Sequence, residues 1–394
     1  MNAPPAVAAM TNPVRDYDWG SRTALARLQG RKSTGGPEAE LWMGAHPGSP
    51  SSVQVDGGDV SLPELIASAP EAVLGAATRA EFGDRLPFLL KILAIAKPLS
   101  VQVHPSTARA REVFGTAGSP YVDDAHKPEL LHALEPTQAL FGFRPAAEVA
   151  ALLAPLGSRL SAVAAPLTTG GQSDAVLLHA TLETLITWPK ADRVELVAEV
   201  AAALDRLPDD VRTDPAHTWV AKLVDLYPLD PMVVAPLLLR LVDLAPGDAI
   251  FVPAGVPHCY LDGLGVEIMA ASDNVLRCGL TPKPIAVQEL LHVVDTSPGP
   301  YAQAVVSRDA NGETSWLPPV PDFRLGRLDV DGSVALTPVP GPQVVLCTSG
   351  AVTVLAGGDA VQLLPGRSAF VTAGAGPVTV MGSGRIFRGA PGAL

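Results

Sequence analysis

Residues 98–106, PLSVQVHPS, place polar side chains on one face of a short predicted strand. Because side chains alternate along a strand, Ser100, Gln102 and His104 share one face, and two valines occupy the other. A solvent-facing strand would more usually carry Lys, Glu or Thr, so this face needs another explanation. On the inward face of a β barrel, an amide and an imidazole two residues apart can hold a metal ion. The alternative is a pair of hydrogen-bonded polar residues in the core.

A carboxylate for such a site is available in the segment HKPEL, where Pro128 holds Glu129 in an extended conformation. A second imidazole ends the pattern G-x5-P-x-G-x2-H, which begins at Gly247 and finishes at His258. The first glycine permits a tight turn, AIFV is a buried strand, and the PAG turn reverses the chain so that His258 points inward. One amide oxygen, two imidazoles and one carboxylate suit Zn2+ and leave room for water or substrate.

These candidate ligands lie in strand-like sequence on either side of a helical block. Residues 145–241 carry apolar residues at spacings of three and four, with Ser173 and Asp174 as candidate N-cap residues. The flanking sequence alternates Val, Thr and Ile between PG, GG and DG turns. We therefore expect a mainly β protein with an α insertion at 145–241, and a catalytic jelly roll formed by residues 1–144 and 242–293.

An internal repeat predicts a second domain of the same kind. Residues 244–258, LAPGDAIFVPAGVPH, align with residues 363–377, LLPGRSAFVTAGAGP, at a constant offset of 119 positions. We expect residues 294–394 to form this second jelly roll. Pro377 stands where the first copy has His258, so the second copy is expected to have no metal site.

The bulk composition narrows the class of protein. The chain has 394 residues, enough for about two or three domains. Its net charge of -12 argues against nucleic acid or an anionic membrane as the main partner. Three cysteines without CxxC spacing favour a reducing compartment over a disulfide framework. The sequence shows no basic leader and no long uncharged apolar run, so we expect a soluble, cytoplasmic protein.

The pattern that ends in His258 resembles the second motif of the cupin superfamily, whose small jelly rolls hold a metal inside the barrel. More of the chain resembles the type I mannose-6-phosphate isomerase family, also called phosphomannose isomerase. The resembling segments follow the family's order between residues 17 and 283, and Asp18 departs from the common pattern outside the expected metal site. They read YDWG, AELWMGAHP, KPLSVQVHPS, HKPEL, FGFRP and VPAGVPHCYLDGLGVEIMAASDNVLRCGLTPK.

The resemblance implies two cupin-type jelly rolls and an aldose-ketose isomerase that interconverts D-mannose 6-phosphate and D-fructose 6-phosphate through an enediol. It also implies one Zn2+ per chain and a catalytic arginine at Arg277, whose permanent charge can stabilise an enediolate. The general base stays open among four residues. Ser100, Lys91, Lys127 and Lys283 are assigned to the phosphate and the sugar hydroxyls, with Glu40 as a further pocket residue. The implied zinc ligands are Gln102, His104, Glu129 and His258, and the candidate bases are His126, Lys127, Glu267 and Asp273.

Two other functions remain open at the level of sequence. A cupin dioxygenase would hold iron on His104, Glu129 and His258, but Gln102 as a fourth ligand argues against it. The alternative without catalysis is a sugar-binding cupin module, and the absence of a helix-turn-helix pattern or basic tail weakens a regulatory role for it. We expect a monomer whose partner is a small sugar phosphate, with no nucleic acid and no membrane.

Overall fold

The computed structural model describes residues 4–56, 58–168 and 170–392, which form two large β-sheets and a block of helices. The strands are β1 (Val7–Thr11), β2 (Val14–Arg15), β3 (Glu40–Met43), β4 (Ser52–Val55), β5 (Gly58–Ser61), β6 (Phe88–Ile95), β7 (Val101–Val103), β8 (Glu129–Ala133), β9 (Thr137–Phe143), β10 (Leu239–Leu244), β11 (Ala249–Val252), β12 (His258–Ala270), β13 (Leu276–Gly279), β14 (Val305–Arg308), β15 (Thr314–Leu317), β16 (Arg324–Ala335), β17 (Gln343–Ala356), β18 (Asp359–Leu363), β19 (Ser368–Val371) and β20 (Val378–Ala390). The helices are α1 (Ala24–Leu28), α2 (Leu62–Ser68), α3 (Pro70–Leu74), α4 (Ala76–Phe82), α5 (Thr107–Val113), α6 (Ala146–Leu153), α7 (Ser158–Ala164), α8 (Asp174–Ile186), α9 (Arg193–Leu204), α10 (Asp209–Arg212), α11 (Pro215–Leu226), α12 (Ala235–Leu238) and α13 (Val287–Val293). Short 3-10 turns lie at Ala165–Thr168, Lys190–Asp192, Pro231–Val234 and Ala373–Ala375.

The sheet that carries the candidate ligands, here called the metal sheet, is built around the long strand β12. One half of β12 pairs with β6 and β8, and the other half pairs with β9 and β7. This register places Glu267 opposite Lys91, and His258 opposite Gln102. Strands β10, β3 and β2 extend the metal sheet at its sides, while β11 pairs with β8 and β13 pairs with β7. Polar residues that are far apart in the sequence therefore meet in one β structure.

An apolar core lies between the metal sheet and the second sheet. Alternate residues of β6 and β12, such as Ile92 and Val266, are fully buried in it. Phe370 and Phe387 pack against them from the second sheet. Burying each such side chain contributes about 1.5–3 kcal/mol to folding. Because side chains alternate along β12, this packing turns the neighbouring residue Glu267 to the opposite face, where the candidate site lies.

The helices between β9 and β10 form a block with its own apolar core. Leu178 and Val220 are fully buried there, together with Leu276 at the start of β13. Ser173 caps α8 by accepting a hydrogen bond from the amide of Val176, in the position that the sequence predicts. Within the described ranges, we find no helix with the length and apolarity that crossing a bilayer demands.

The second sheet, here called the terminal sheet, contains the first and the last strand of the described residues. The matching segments of the internal repeat, β11 and β19, are both strands, as predicted. Strand β1 pairs with β19, with Val7 opposite Val371 and Met10 opposite Ser368, and β4 and β5 continue the terminal sheet beyond it. Residues 1–144 therefore supply strands to both sheets, which the sequence analysis did not anticipate because such a distant pairing has no local signature. The predicted domain boundaries stay a prediction.

Candidate metal centre and active site

Two histidines and a glutamate from three strands meet in the metal sheet. His104 follows β7, Glu129 begins β8 and His258 begins β12; their ligand atoms lie within 4.8 Å of one another, and all three side chains are buried. The Nε2 atoms of His104 and His258 lie 3.2 and 3.3 Å from the two carboxylate oxygens of Glu129. The amide nitrogen of Gln102 lies 3.3 Å from Nε2 of His258. The structure thus brings the four expected ligands together.

Backbone carbonyl groups fix the orientation of both imidazoles. Nδ1 of His104 lies 2.8 Å from the carbonyl oxygen of Asn274, and Nδ1 of His258 lies 3.1 Å from that of Val256. Because only a protonated Nδ1 can donate to a carbonyl, Nε2 of each ring is the unprotonated atom, and it faces Glu129. A hydrogen bond of this kind commonly sets the tautomer of a metal-binding histidine.

The cluster has the properties that a bound cation requires. Nε2 of His104 and Oε2 of Glu129 are buried without a hydrogen-bond partner among the described residues, which is costly unless a cation lies between them. Burial, and then Lys127, lowers the pKa of His104 to about 4. Burial alone would raise the pKa of Glu129, but Lys127 and the two histidines hold it well below its usual range. A neutral imidazole and an ionised carboxylate are the forms that bind Zn2+, so these residues fit that ion.

A second group of buried charges lies beside the cluster. Nζ of Lys91 lies 3.2 Å from Glu40 and 3.6 Å from Glu267. Burial would lower the pKa of Lys91, but Glu40 and Glu267 raise it above its ordinary value. Burial, and then repulsion from Glu129, raises the pKa of Glu267 to about 8, although Lys91 opposes this shift. Lys91 is therefore a charged ammonium, and Glu267 is a carboxyl that exchanges its proton near neutral pH.

Trp42 contacts both Glu40 and Lys91 in this second group, and it was not among the residues predicted from the sequence. Its indole nitrogen donates a hydrogen bond to Glu40, and its ring lies 5.0 Å from Nζ of Lys91. The ring of His46 meets it edge-on, with 4.8 Å between the centroids. Both residues lie in AELWMGAHP, one of the segments that carry the family resemblance, so a signal for them was present.

Lys127 and Glu267 are the two candidate bases that lie with the buried charges. Nζ of Lys127 forms a salt bridge with Oε1 of Glu129, and both side chains are buried. Lys127 therefore contacts an expected zinc ligand directly, whereas Glu267 acts on Glu129 through charge repulsion.

The other two candidate bases, His126 and Asp273, bind partners that the sequence analysis missed. Nε2 of His126 lies 2.7 Å from the carboxylate of Asp322, which precedes β16 of the terminal sheet. Nε2 of His46 donates to Asp273 over 3.1 Å, and this hydrogen bond lowers the pKa of Asp273. His126 is half-buried and Asp273 is exposed, whereas Lys127 and Glu267 are buried, so burial separates these two candidates from the other two.

The remaining expected residues, Arg277, Ser100 and Lys283, are not fully buried. Arg277 on β13 is paired across the ladder with Gln102, and its half-buried side chain has no hydrogen-bond or ion-pair partner in the described part of the chain. Ser100 is half-buried just before β7. Lys283 is exposed in the turn after β13. Among the described residues, none of these three side chains has a hydrogen-bond or ion-pair partner.

The fold and the buried histidine-glutamate-histidine cluster define a metal-binding protein of the cupin type. A family model for the catalytic domain of type I phosphomannose isomerase matches residues 7–146, and one for the cupin domain of mannose-6-phosphate isomerase matches residues 313–391. Over 392 residues the chain is 39% identical to the mannose-6-phosphate isomerase of Escherichia coli strain K12, covering 96% of this chain and 98% of that protein. The chain therefore belongs to the type I phosphomannose isomerase family.

More distant relatives and solved structures agree with this assignment. The mannose-6-phosphate isomerase of Rattus norvegicus is 31% identical over 380 residues, with 90% of each chain covered. A zinc-bound crystal structure of a mannose 6-phosphate isomerase is 34% identical and superimposes with a TM-score of 0.89, covering 99% of this chain and 100% of the other. A phosphomannose isomerase variant from Salmonella typhimurium has a TM-score of 0.88 at 33% identity, with the same coverage. The shared fold covers 99% of the chain.

Proposed function

We propose that this protein is a zinc-dependent aldose-ketose isomerase that interconverts D-mannose 6-phosphate and D-fructose 6-phosphate through an enediol. The observation that carries the proposal is the buried cluster of His104, Glu129 and His258 beside the buried side chains of Lys91 and Glu267. The relatives named mannose-6-phosphate isomerase and the zinc-bound solved structure support the same reaction.

One zinc ion per chain is assigned to Gln102, His104, Glu129 and His258. When bound, zinc supplies a Lewis acid that polarises an oxygen of the substrate. The unpartnered Nε2 of His104 and Oε2 of Glu129 support this assignment, because both atoms need a cation or a donor that no described residue provides.

Glu267 is assigned as the group that carries the proton between C2 and C1 of the sugar. Glu267 is buried 3.6 Å from Nζ of Lys91, and burial raises the pKa of its carboxyl, which favours the exchange of a proton with substrate. Lys91 stays charged beside it and can donate a hydrogen bond to a sugar oxygen, while Glu40 holds the ammonium in place. Lys127 is the alternative proton carrier, because it is buried and contacts Glu129.

Arg277 is assigned to the negative charge that develops on the enediolate. Its guanidinium has no protein partner in the described ranges, and Gln102 is its neighbour on β7, so it is free to bind substrate beside the cluster. Ser100 and Lys283 are assigned to the phosphate, which can stay partly hydrated at the half-buried and exposed positions that these residues occupy.

We further infer that the protein acts as a cytoplasmic monomer. Its three cysteines are free and buried, which suits a reducing compartment. Light scattering after size-exclusion chromatography checks the oligomeric state, and a mass of two chains would contradict it.

A coupled assay tests the proposed function. The purified protein is stripped of metal by a chelator, reloaded with zinc, and mixed with mannose 6-phosphate under anaerobic conditions while fructose 6-phosphate is measured. We expect product with the zinc-loaded protein and none with the metal-free protein, and unphosphorylated mannose serves as the matched substrate. Turnover that needs iron and oxygen would indicate a dioxygenase instead. Sugar binding without turnover would indicate a binding module.

A further inference from the structure

Asn274 is a buried residue between β12 and β13 to which none of the roles above is assigned. Its side chain binds the loop that leads into β8. Nδ2 donates to the carbonyl oxygens of Asp123 and Ala125, both at 2.8 Å, and to a carboxylate oxygen of Asp123 at 3.0 Å. Oδ1 accepts a hydrogen bond from the amide of Val122 at 2.9 Å. Every hydrogen-bonding atom of the amide is therefore committed to the few residues that precede Lys127.

The backbone of the same residue holds an expected zinc ligand. The carbonyl oxygen of Asn274 accepts the hydrogen bond from Nδ1 of His104 at 2.8 Å. Asp123 ties the loop back to the same segment, because its carboxylate accepts from the hydroxyl of Ser272 at 2.8 Å and from the amide of Asp273 at 3.0 Å. The loop and the segment that contains Asn274 are thus joined by hydrogen bonds in both directions.

We propose that Asn274 is a positioning residue that fixes Lys127 relative to the zinc ligand His104, through its side-chain amide on one side and its carbonyl on the other. This inference rests on the proposed function. Lys127 follows Ala125 by two residues and contacts Glu129, so a displaced loop would move Nζ relative to that carboxylate. A misplacement of about 1 Å in a group near the reacting atoms can cost about 10²-fold in rate.

The substitution Asn274→Asp tests the proposal with almost no change in size. The new carboxylate cannot donate, so it would face the carbonyl oxygens of Asp123 and Ala125 and the carboxylate of Asp123 without a proton between them. The backbone carbonyl at position 274 remains, so His104 keeps its orienting hydrogen bond and the protein is expected to retain its zinc. We expect kcat to fall by about 10- to 100-fold, the usual range for residues that orient a metal site, with a smaller change in KM.

Hydrogen exchange provides a measurement that does not depend on activity. Repulsion between the new carboxylate and the carbonyl oxygens of Asp123 and Ala125 is expected to displace the loop, so the amide of Val122, which donates to Oδ1 in the wild type, should exchange faster with deuterium in Asn274→Asp. If Asn274→Asp does not fold, Asn274→Ala replaces it, because that variant removes the same donors without adding a charge.

Asn12→Asp is the matched control. Asn12 is also hydrogen-bonded through both atoms of its amide: Nδ2 donates to the hydroxyl of Ser368 at 2.8 Å, and Oδ1 accepts from the hydroxyl of Ser51 at 2.9 Å. The same change from amide to carboxylate is expected to lower the melting temperature. The kcat, measured at a temperature at which the variant is folded, should stay unchanged. Hydrogen exchange of the Val122 amide should also stay unchanged.

Three results would overturn the proposal: a folded, zinc-loaded Asn274→Asp with kcat within about twofold of wild type, unchanged exchange at Val122, or activity lost only in proportion to zinc. A wild-type protein that binds zinc but forms no fructose 6-phosphate would overturn the proposed function instead. In that case faster exchange at Val122 would still show that Asn274 holds the loop.

Discussion

Arg277 is the residue at which the proposed chemistry is most directly tested, because its charge has no partner in the described part of the chain. If it stabilises an enediolate, its contribution appears only as charge develops, so Arg277→Ala should lower kcat far more than it raises KM. Loss of such a contact costs about 2.7–4 kcal/mol, or about 10²- to 10³-fold in rate. Arg277→Lys should recover only part of this, because an ammonium lacks the planar fork. Steady-state kinetics decides; a raised KM with normal kcat would assign Arg277 to phosphate binding.

His258 and His217 form a matched pair for testing the metal site. Both are buried, and both have Nδ1 at 3.1 Å from a backbone carbonyl. His258→Ala is expected to lose zinc and activity because a ligand is missing. His217 lies in α11 of the helical block. The His217→Ala variant should therefore keep one zinc per chain and a normal kcat. Zinc content measured by mass spectrometry checks this, and full zinc in His258→Ala would refute the assignment.

At the scale of elements, the site depends on how β8 enters the metal sheet. His126 precedes β8 and is hydrogen-bonded to Asp322, which lies just before β16 of the terminal sheet. We expect His126→Ala and Asp322→Ala each to lower the free energy of unfolding by about 1–3 kcal/mol. The double variant should lose less than the sum, with a coupling of about 0.5–3 kcal/mol, because the two substitutions remove the same contact. Urea unfolding of the four proteins measures this, and additive effects would show that the contact contributes nothing.

The elements also show what could be predicted from sequence and what could not. Gln102 and His104 could be predicted as a pair because the alternation of β7 is local. Their convergence with Glu129 depended on the family resemblance, since strand order is not local. Trp42 lies in a segment that carries the resemblance, but its contact with Lys91, like that of Asp322 with His126, joins residues distant in the sequence and could not be predicted from either neighbourhood.

At the scale of the whole molecule, Glu267 makes the stability of the metal-free protein depend on pH. Its pKa is about 8 in the folded protein and 4.5 ordinarily. Between these two pH values the folded state binds more protons than the unfolded state, so the free energy of unfolding falls as pH rises. His104, with a pKa of about 4 when folded against 6.5, acts in the opposite direction, but its effect is complete by about pH 6.5.

The free energy of unfolding of the metal-free protein should therefore decrease between about pH 6.5 and 8, by up to about 1.4 kcal/mol per pH unit. Glu267→Gln, which cannot ionise, should remove this decrease. Urea unfolding of both metal-free proteins across this range provides the measurement. Equal slopes for the two proteins would show that Glu267 is not the group responsible.

The pairing of β1 with β19 has a consequence for the order in which the protein can form during synthesis. Val7 is synthesised long before its partner Val371. Strand β1 therefore stays without this partner until β19 has been synthesised, and unpaired strands are prone to aggregate. A nascent chain stopped after β13 would already contain all the expected zinc ligands, yet β1 would have no β19 to bind. We expect the pairing of β1 with β19, which joins β1, β4 and β5 to the rest of the terminal sheet, to be a late step in the biogenesis of this enzyme.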